Sequence, residues 1–189
     1  LAVGRFSETK SPHLTLLAFN EVVKTIPQAQ LIFIGKDGGG ELFESCVILA
    51  KALNIDDKVV FKGVCTPIEV RNEMRKARVF VQHSLTTPIH GDKEGTPVAI
   101  MEAMLMGLPV ISTKHAGILD IIQSGKNGFL VDEFDYLNMS KLMIEVAQND
   151  HLVASVGSNA SDSILTNSLL VNNKLLFLEL VNKCISNNE

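Results

Sequence analysis

Two glutamates, Glu94 and Glu102, lie eight residues apart on either side of Thr96-Pro97. Proline at a first helical position lacks only a donor that the first turn cannot use, so Thr96-Pro97 predicts a helix start. That spacing puts Glu94 in the loop just ahead of the helix and Glu102 about a turn and a half inside it. Gly95 lets a ligand approach the backbone, and the unpaired amides of a helix start attract negative charge. Two carboxylates around such a start suit a polar or anionic ligand. Arg5 and Lys10, in the polar turn RFSETK, add two cations near another glycine, Gly4.

The elements that must position these groups alternate along the chain. Leu1 to Gly4 reads as a short strand, and Ser11-Pro12 starts a helix with Leu14, Leu17, Ala18, Val22 and Ile26 spaced for one buried face. Gln30 to Ile34 is a continuous apolar strand that runs into the glycine-rich loop Gly35 to Gly40. Glu41 to Leu53 is helical by period, Lys58 to Phe61 is a strand, and Pro67 opens a helix through Arg75. Further strands are expected at Arg78–Val81, Pro109–Ser112 and Gly128–Val131. Strands apolar on both faces, alternating with helices, predict a doubly wound α/β fold with a covered parallel sheet. From Phe134 onward the pattern is helical only, at about 135–149, 151–165 and 168–186, the last with a wide apolar stripe.

The 189 residues read as a single domain, with a core over 1–133 and a helical tail over 134–189. The composition is 46% hydrophobic and 20% charged with a net charge of −4, which argues against nucleic acid as the main partner. Cys46, Cys65 and Cys184 are isolated, with no CxxC, and read as core or surface thiols of a reducing compartment. On that reading the Asn-Met-Ser and Asn-Ala-Ser triplets at 138 and 159 are not glycosylation acceptors. No apolar run approaches the roughly 18 residues of a membrane span, and no signal peptide opens the chain. The chain also opens without Met, on an apolar run, and is expected to be a piece of something longer.

In a doubly wound sheet, ligands sit outside the carboxyl ends of the strands. The loops there are 4–11, 35–40, 62–67, 82–96 and 112–117, and they hold Gly4, Arg5, Lys10, Gly35, Gly63, Glu94 and Gly95. A nucleoside diphosphate attached to a hydroxyl-rich group matches the cations, the close-approach glycines and the carboxylate at a helix start. GRFSETKS, LIFIGKDGG, VVFKGV, EGTPVAIMEAMLMGLPVIST and GKNGFLV, in that order, resemble the motifs of the C-terminal, donor-binding domain of GT-B retaining glycosyltransferases of family 4 (glycosyl transferases group 1). The resemblance covers about residues 1–131, and the E-x7-E block from Glu94 to Glu102 is its most specific part.

That resemblance implies the Rossmann-like half of a GT-B fold and a set of roles. Arg5 and Lys10 would neutralise the donor diphosphate and the charge growing on the leaving nucleoside diphosphate. Glu94 would accept hydrogen bonds from the donor sugar and steady its anomeric centre. Gly95, Thr96 and Pro97 would shape the backbone against sugar and phosphate, with Gly4 beside them. Glu102 would take the ribose hydroxyls, and Gly35, Gly63, Val64 and Cys65 would flank the base. The reaction implied is hexose transfer from a UDP-, GDP- or ADP-sugar to a saccharide or lipid-linked acceptor in surface polysaccharide synthesis. An N-terminal acceptor domain, absent here, would complete the cleft, so the piece alone is expected to be inactive. Location would be cytoplasmic, or at the inner face of the membrane through that missing domain. No cofactor is expected. A metal is not expected either, since no two aspartates form a DxD clamp and HExxH is missing.

Plainer roles stay open at each position. Arg5 and Lys10 also suit a solvated turn, Glu94 a favourable charge at a helix dipole, and Glu102 a solvated helix face. His83 reads as structural before ligand-binding, His90 and Asp92 lie in a long loop without assignment, and His13 and His115 carry no motif. HAGILD at 115–120 departs from the family's usual GG-x-P-E, and GKDGGGE lacks a proline often found there. Two other classes remain: a nucleotide-sugar hydrolase or epimerase on the same scaffold, and a non-catalytic interaction module. The latter would be favoured if Arg5, Lys10 and Glu94 failed to converge.

Overall fold

LIFI has no polar side to turn toward water, so a strand made of it is stable only where helices cover both faces. The computed structural model describes residues 1–38 and 40–170 and shows that arrangement. Its strands are β1 (Ala2–Val3), β2 (Leu31–Ile34), β3 (Val59–Phe61), β4 (Phe80–Val81), β5 (Val110–Thr113) and β6 (Phe129–Val131). Its helices are α1 (Pro12–Thr25), α2 (Glu41–Ala52), α3 (Pro67–Lys76), α4 (Val98–Leu105), α5 (Ile118–Ile121), α6 (Tyr136–Gln148) and α7 (Asp150–Leu170), with short 3-10 turns at Glu8–Lys10 and Asp56–Lys58.

β1, β2 and β3 pair in parallel, and so do β4, β5 and β6. Two backbone bonds join the halves. The Leu1 amine donates to the Val79 carbonyl at 2.9 Å, and the Val81 N–H donates to the Leu1 carbonyl at 2.8 Å. This is the bonding of a parallel ladder, so β1 lies against β4 and the spatial order becomes β3-β2-β1-β4-β5-β6. It is the doubly wound order, with its topological switch between β1 and β4.

Adjacent strand residues point to opposite faces. Phe33, Val81 and Ile111 join one apolar cluster with Leu16, Phe19 and Val22 of α1, Cys46 of α2 and Met139 of α6. Ile34, Phe80 and Val110 join the other with Met74 of α3, Ile100 and Met104 of α4, Ile118 of α5 and Ile164 of α7. The helical tail is therefore part of the fold, with α6 closing one face and α7 the other.

Several expectations shift. The buried arc of α1 includes Leu16 and Phe19, while Leu17 and Ile26 are only half-buried. This helix meets α2 and α6 as well as the sheet, which widens and rotates its apolar side. Lys58 belongs to the 3-10 turn ahead of β3 rather than to the strand. Pro97 is the N-cap of α4, with extended backbone (φ −68°, ψ 120°), and Val98 is the first helical residue. The break expected near residue 166 does not occur, because α7 runs unbroken to Leu170. The remainder of the helix expected at 168–186, with Cys184, lies outside the described residues.

Candidate functional site

At the carboxyl edge of the sheet, β1, β2 and β3 end in backbone packed on backbone. The Gly4 N–H donates to the Ile34 carbonyl and the Gly35 N–H to the Gly63 carbonyl, each at 2.8 Å. A Cβ on Gly35 would stand 1.9 Å from the Gly4 carbonyl oxygen, and its φ of +154° also disfavours a side chain. The ends of β1 and β2 can approach this closely only because Gly35 has no side chain.

The 3-10 turn after β1 carries Lys10 back over Gly4, where a Cβ would meet the Lys10 stem at 2.8 Å. Lys10 there forms an ion pair with Glu94 Oε1. The other carboxylate oxygen, Oε2, accepts from Gln82 Nε2 at 3.0 Å and from Ser84 Oγ at 3.1 Å. Gln82 and Ser84 follow β4 at alternate positions of an extended chain, so both reach one side, and both are buried. Lys10 and Glu94 are each about a sixth exposed, 17% and 18%. Loops after β1 and β4 thus meet through a partly desolvated charge pair, at the topological switch.

The main chain of Glu94 is held as well. Its N–H donates to His115 Nε2 at 3.2 Å, and His115 Nδ1 lies 2.7 Å from Glu133 Oε1. Since Nε2 accepts, the ring proton belongs on Nδ1, where Glu133 receives it. Glu133 Oε2 also accepts from the Thr86 N–H at 2.9 Å. Burial pushes the Glu133 carboxyl up, but the Thr86 amide and His115 outweigh it and hold the group below the usual carboxylate range. His83, fully buried, accepts from the Phe134 N–H at 2.9 Å. Burial, with a smaller push from His13, lowers its pKa to about 4. It is neutral and structural, a peg between β4 and the turn before α6.

The other expected residues line the same edge. Gly95 and Thr96 are exposed and Pro97 is buried. Thr96 Oγ1 donates to the Gly117 carbonyl at 3.4 Å, and a Cβ on Gly117 would collide with that hydroxyl at 2.2 Å. No side chain caps the amides that open α4. Glu102 is half-buried on α4. Arg5 is exposed and borders, with Ser7, Glu8, Gly38 and Gly40, a cleft that is open to solvent. Val64, beyond β3, is 76% exposed.

Lys10 and Glu94 therefore meet at this edge, and Arg5 shares a pocket with Gly4, Lys10 and Gln82 without contacting Glu94 in any described bond. Four participants went unread in the sequence: Gln82, Ser84, His115 and Glu133. Only their positions, just past β4, β5 and β6 on loops where ligands gather, could have flagged them. Among the described residues, no group of three or more His, Cys, Asp or Glu side chains is placed to hold a metal ion. No helix among them is long and apolar enough to cross a membrane.

The profile of a family described as Glycosyl transferases group 1 matches residues 1–163. A protein of Salmonella typhimurium strain LT2, named "Putative colanic acid biosynthesis glycosyltransferase WcaL", is 31% identical over 151 residues, which are 80% of this chain and 36% of that protein. The chain thus spans about a third of that relative's length. The crystal structure of the C-terminal domain of a glycosyl transferase group 1 family protein, LpcC from Francisella tularensis, superposes with a TM-score of 0.76 at 22% identity, covering 87% of this chain and 83% of that one. Anabaena HepE in complex with UDP-glucose gives a TM-score of 0.77 at 22% identity over 98% of this chain and 48% of that one. At these identities the structures speak to the fold alone.

Proposed function

The chain belongs to the glycosyl transferases group 1 family, and on that footing we propose that it is the donor-binding, C-terminal half of a retaining family 4 glycosyltransferase. The observation that carries this reading is the convergence of Lys10 and Glu94, with Arg5 beside them, at the β1/β4 switch. A ligand bound there meets cations from one loop and a carboxylate from the other.

The donor diphosphate lies between Arg5, Lys10 and the uncapped amides of α4, which supply positive charge without requiring a metal. In transfer, the bond from the anomeric carbon to the diphosphate oxygen breaks and its electron pair leaves with the nucleoside diphosphate. The acceptor oxygen bonds to that carbon from the same face, and its proton passes to the departing diphosphate oxygen. Arg5 and Lys10 stabilise the charge gathering on the leaving group, and an effect of that kind is worth several kcal/mol in a water-poor site. Glu94 accepts from one sugar hydroxyl. A carboxylate has about four acceptor positions, and Lys10, Gln82 and Ser84 occupy three. Glu102 receives the ribose hydroxyls, Gly95 to Pro97 shape the backbone around the sugar, and Gly35, Gly63 and Val64 face the base. The remaining two thirds of the relatives' length corresponds to the part that holds the acceptor.

The substrate class follows the relatives, one of which is named for colanic acid biosynthesis: a nucleotide-linked hexose as donor, and a growing surface polysaccharide or its lipid-linked precursor as acceptor. Calorimetric titration with UDP, GDP and ADP and their glucose or mannose conjugates tests the reading. Saturable binding of one nucleotide, weakened at least tenfold in both Lys10→Ala and Glu102→Ala, is the expected result. Binding that neither substitution changes would show that the nucleotide sits elsewhere.

A further inference from the structure

Glu94 is fixed at both ends, and the attachment of its backbone depends on a side chain with no other visible task. His115 follows β5, and Glu133 follows β6. His115 is buried, 2% exposed, and every polar atom of its ring is used: Nε2 accepts from the Glu94 N–H and Nδ1 meets Glu133. Glu133 also receives the Thr86 N–H, just past Ser84 in the loop that delivers Gln82 and Ser84 to the Glu94 carboxylate. The long loop from Gln82 to Thr96 is therefore pinned twice, at Thr86 and at Glu94, by one His–Glu pair that follows two neighbouring strands.

We infer that His115, oriented by Glu133, is a positioning residue that sets the backbone of Glu94 for contact with the donor sugar. The inference rests on the donor-site reading above. An imidazole in the Nδ1–H form presents a bare Nε2 to the Glu94 amide, and Glu133 selects that form by accepting the Nδ1 proton. Without the acceptor, the Glu94 N–H is left without its partner, and Lys10, Gln82 and Ser84 hold only the tip of the side chain while its backbone is free to shift. Misplacement by about 1 Å at a group that touches the reacting sugar costs on the order of a hundredfold in rate. Arg5 makes no described contact with this backbone and the Lys10 stem is held over Gly4 on its own loop, so the diphosphate they meet does not depend on it. The loss therefore falls on the sugar step and spares the nucleotide.

Two substitutions separate this role from plain packing. His115→Phe fills the volume but removes the acceptor. His115→Gln can return a carbonyl oxygen close to the position of Nε2. In the full-length protein, the nucleoside diphosphate affinity of His115→Phe should stay within about twofold of the original, while kcat with the matching nucleotide-sugar falls at least tenfold. His115→Gln should recover at least a third of the lost rate. Equal losses of nucleotide affinity and kcat in His115→Phe, or no recovery in His115→Gln, would overturn the positioning role and leave a packing one. Unchanged kcat in both variants would overturn it outright while leaving the donor-site reading intact. If the unmodified protein takes none of UDP, GDP or ADP, the donor-site reading fails and this inference falls with it.

Discussion

Replacing Glu94 by Gln keeps the shape of the side chain and removes only its charge, so its effect can be worked from the contacts. The carboxylate faces an ammonium on one oxygen and two neutral donors, Gln82 Nε2 and Ser84 Oγ, on the other. The amide introduced by Glu94→Gln has one carbonyl to offer. If that carbonyl turns to Lys10, the new NH2 meets the Gln82 amide donor head-on, and if it turns to Gln82, the NH2 meets the Lys10 ammonium. One donor–donor conflict remains unless the Gln82 amide turns over and presents its unpaired Oε1 to the new NH2. A hydrogen bond to a charged group contributes about 1.5–3 kcal/mol, and a donor left buried without a partner costs a similar amount. With about a sixth of each side chain exposed, water relieves part of this, and a net loss of about 2 kcal/mol is expected. For a chain of this size that lowers Tm by about 4–8 °C. Urea unfolding followed by circular dichroism measures it, in a cycle with Lys10→Met and the double variant. Coupled residues show an interaction energy of about 0.5–3 kcal/mol, whereas independent ones add to within about 0.5 kcal/mol. Additive losses would refute the Lys10–Glu94 pair as an energetic unit, and with it the argument that the two loops meet through it.

Three further outcomes are expected from other parts of the molecule. Gly35→Ala puts a Cβ 1.9 Å from the Gly4 carbonyl oxygen at φ +154°; it should destabilise the fold by about 3 kcal/mol or more, read by the same urea titration, and a loss below about 1 kcal/mol would contradict the close approach of β1 and β2. His83 is neutral in the fold with its pKa lowered from 6.5 to about 4, so between those values the unfolded chain binds a proton that the native state refuses. Stability should therefore fall as pH drops from about 6.5 toward 4, by about 3 kcal/mol from this group, and His83→Gln, which can still accept from the Phe134 N–H, should flatten that slope. Arg5→Ala, at an exposed position, should leave the unfolding free energy within about 0.5 kcal/mol and weaken nucleoside diphosphate binding by about tenfold or more, checked by calorimetry at two salt concentrations; equal affinity in the variant would remove Arg5 from the site.

Much of the fold was legible because local chemistry and tertiary need agree. Apolar runs such as Leu31–Ile34 have no solvated side, and prolines at Pro12 and Pro67 each begin a helix where their missing N–H does no harm. The carboxyl-edge loops could be listed from the strands alone, and the type and spacing of Arg5, Lys10, Glu94 and Glu102 identified them as candidates. Where local rules misplaced a boundary, packing decided. Period alone assigns a helix one apolar stripe, but α1 is covered by the sheet, α2 and α6 together, so Leu16 and Phe19 go inside with Leu14.

The sequence by itself determined the alternation of elements, the α/β class and the family, and it named the candidate site residues. The tertiary structure alone decided which of them meet. Lys10 and Glu94 are 84 residues apart in the chain, and they pair only because Leu1 bridges Val79 and Val81 and sets β1 against β4. His115 and Glu133 carry no motif, since each is defined by a partner on another strand's loop. Periodicity and spacing report what neighbours along the chain do, whereas a site assembled from several loops is a property of strand order. That order is fixed by which apolar faces can be buried together, and no single stretch of sequence contains it.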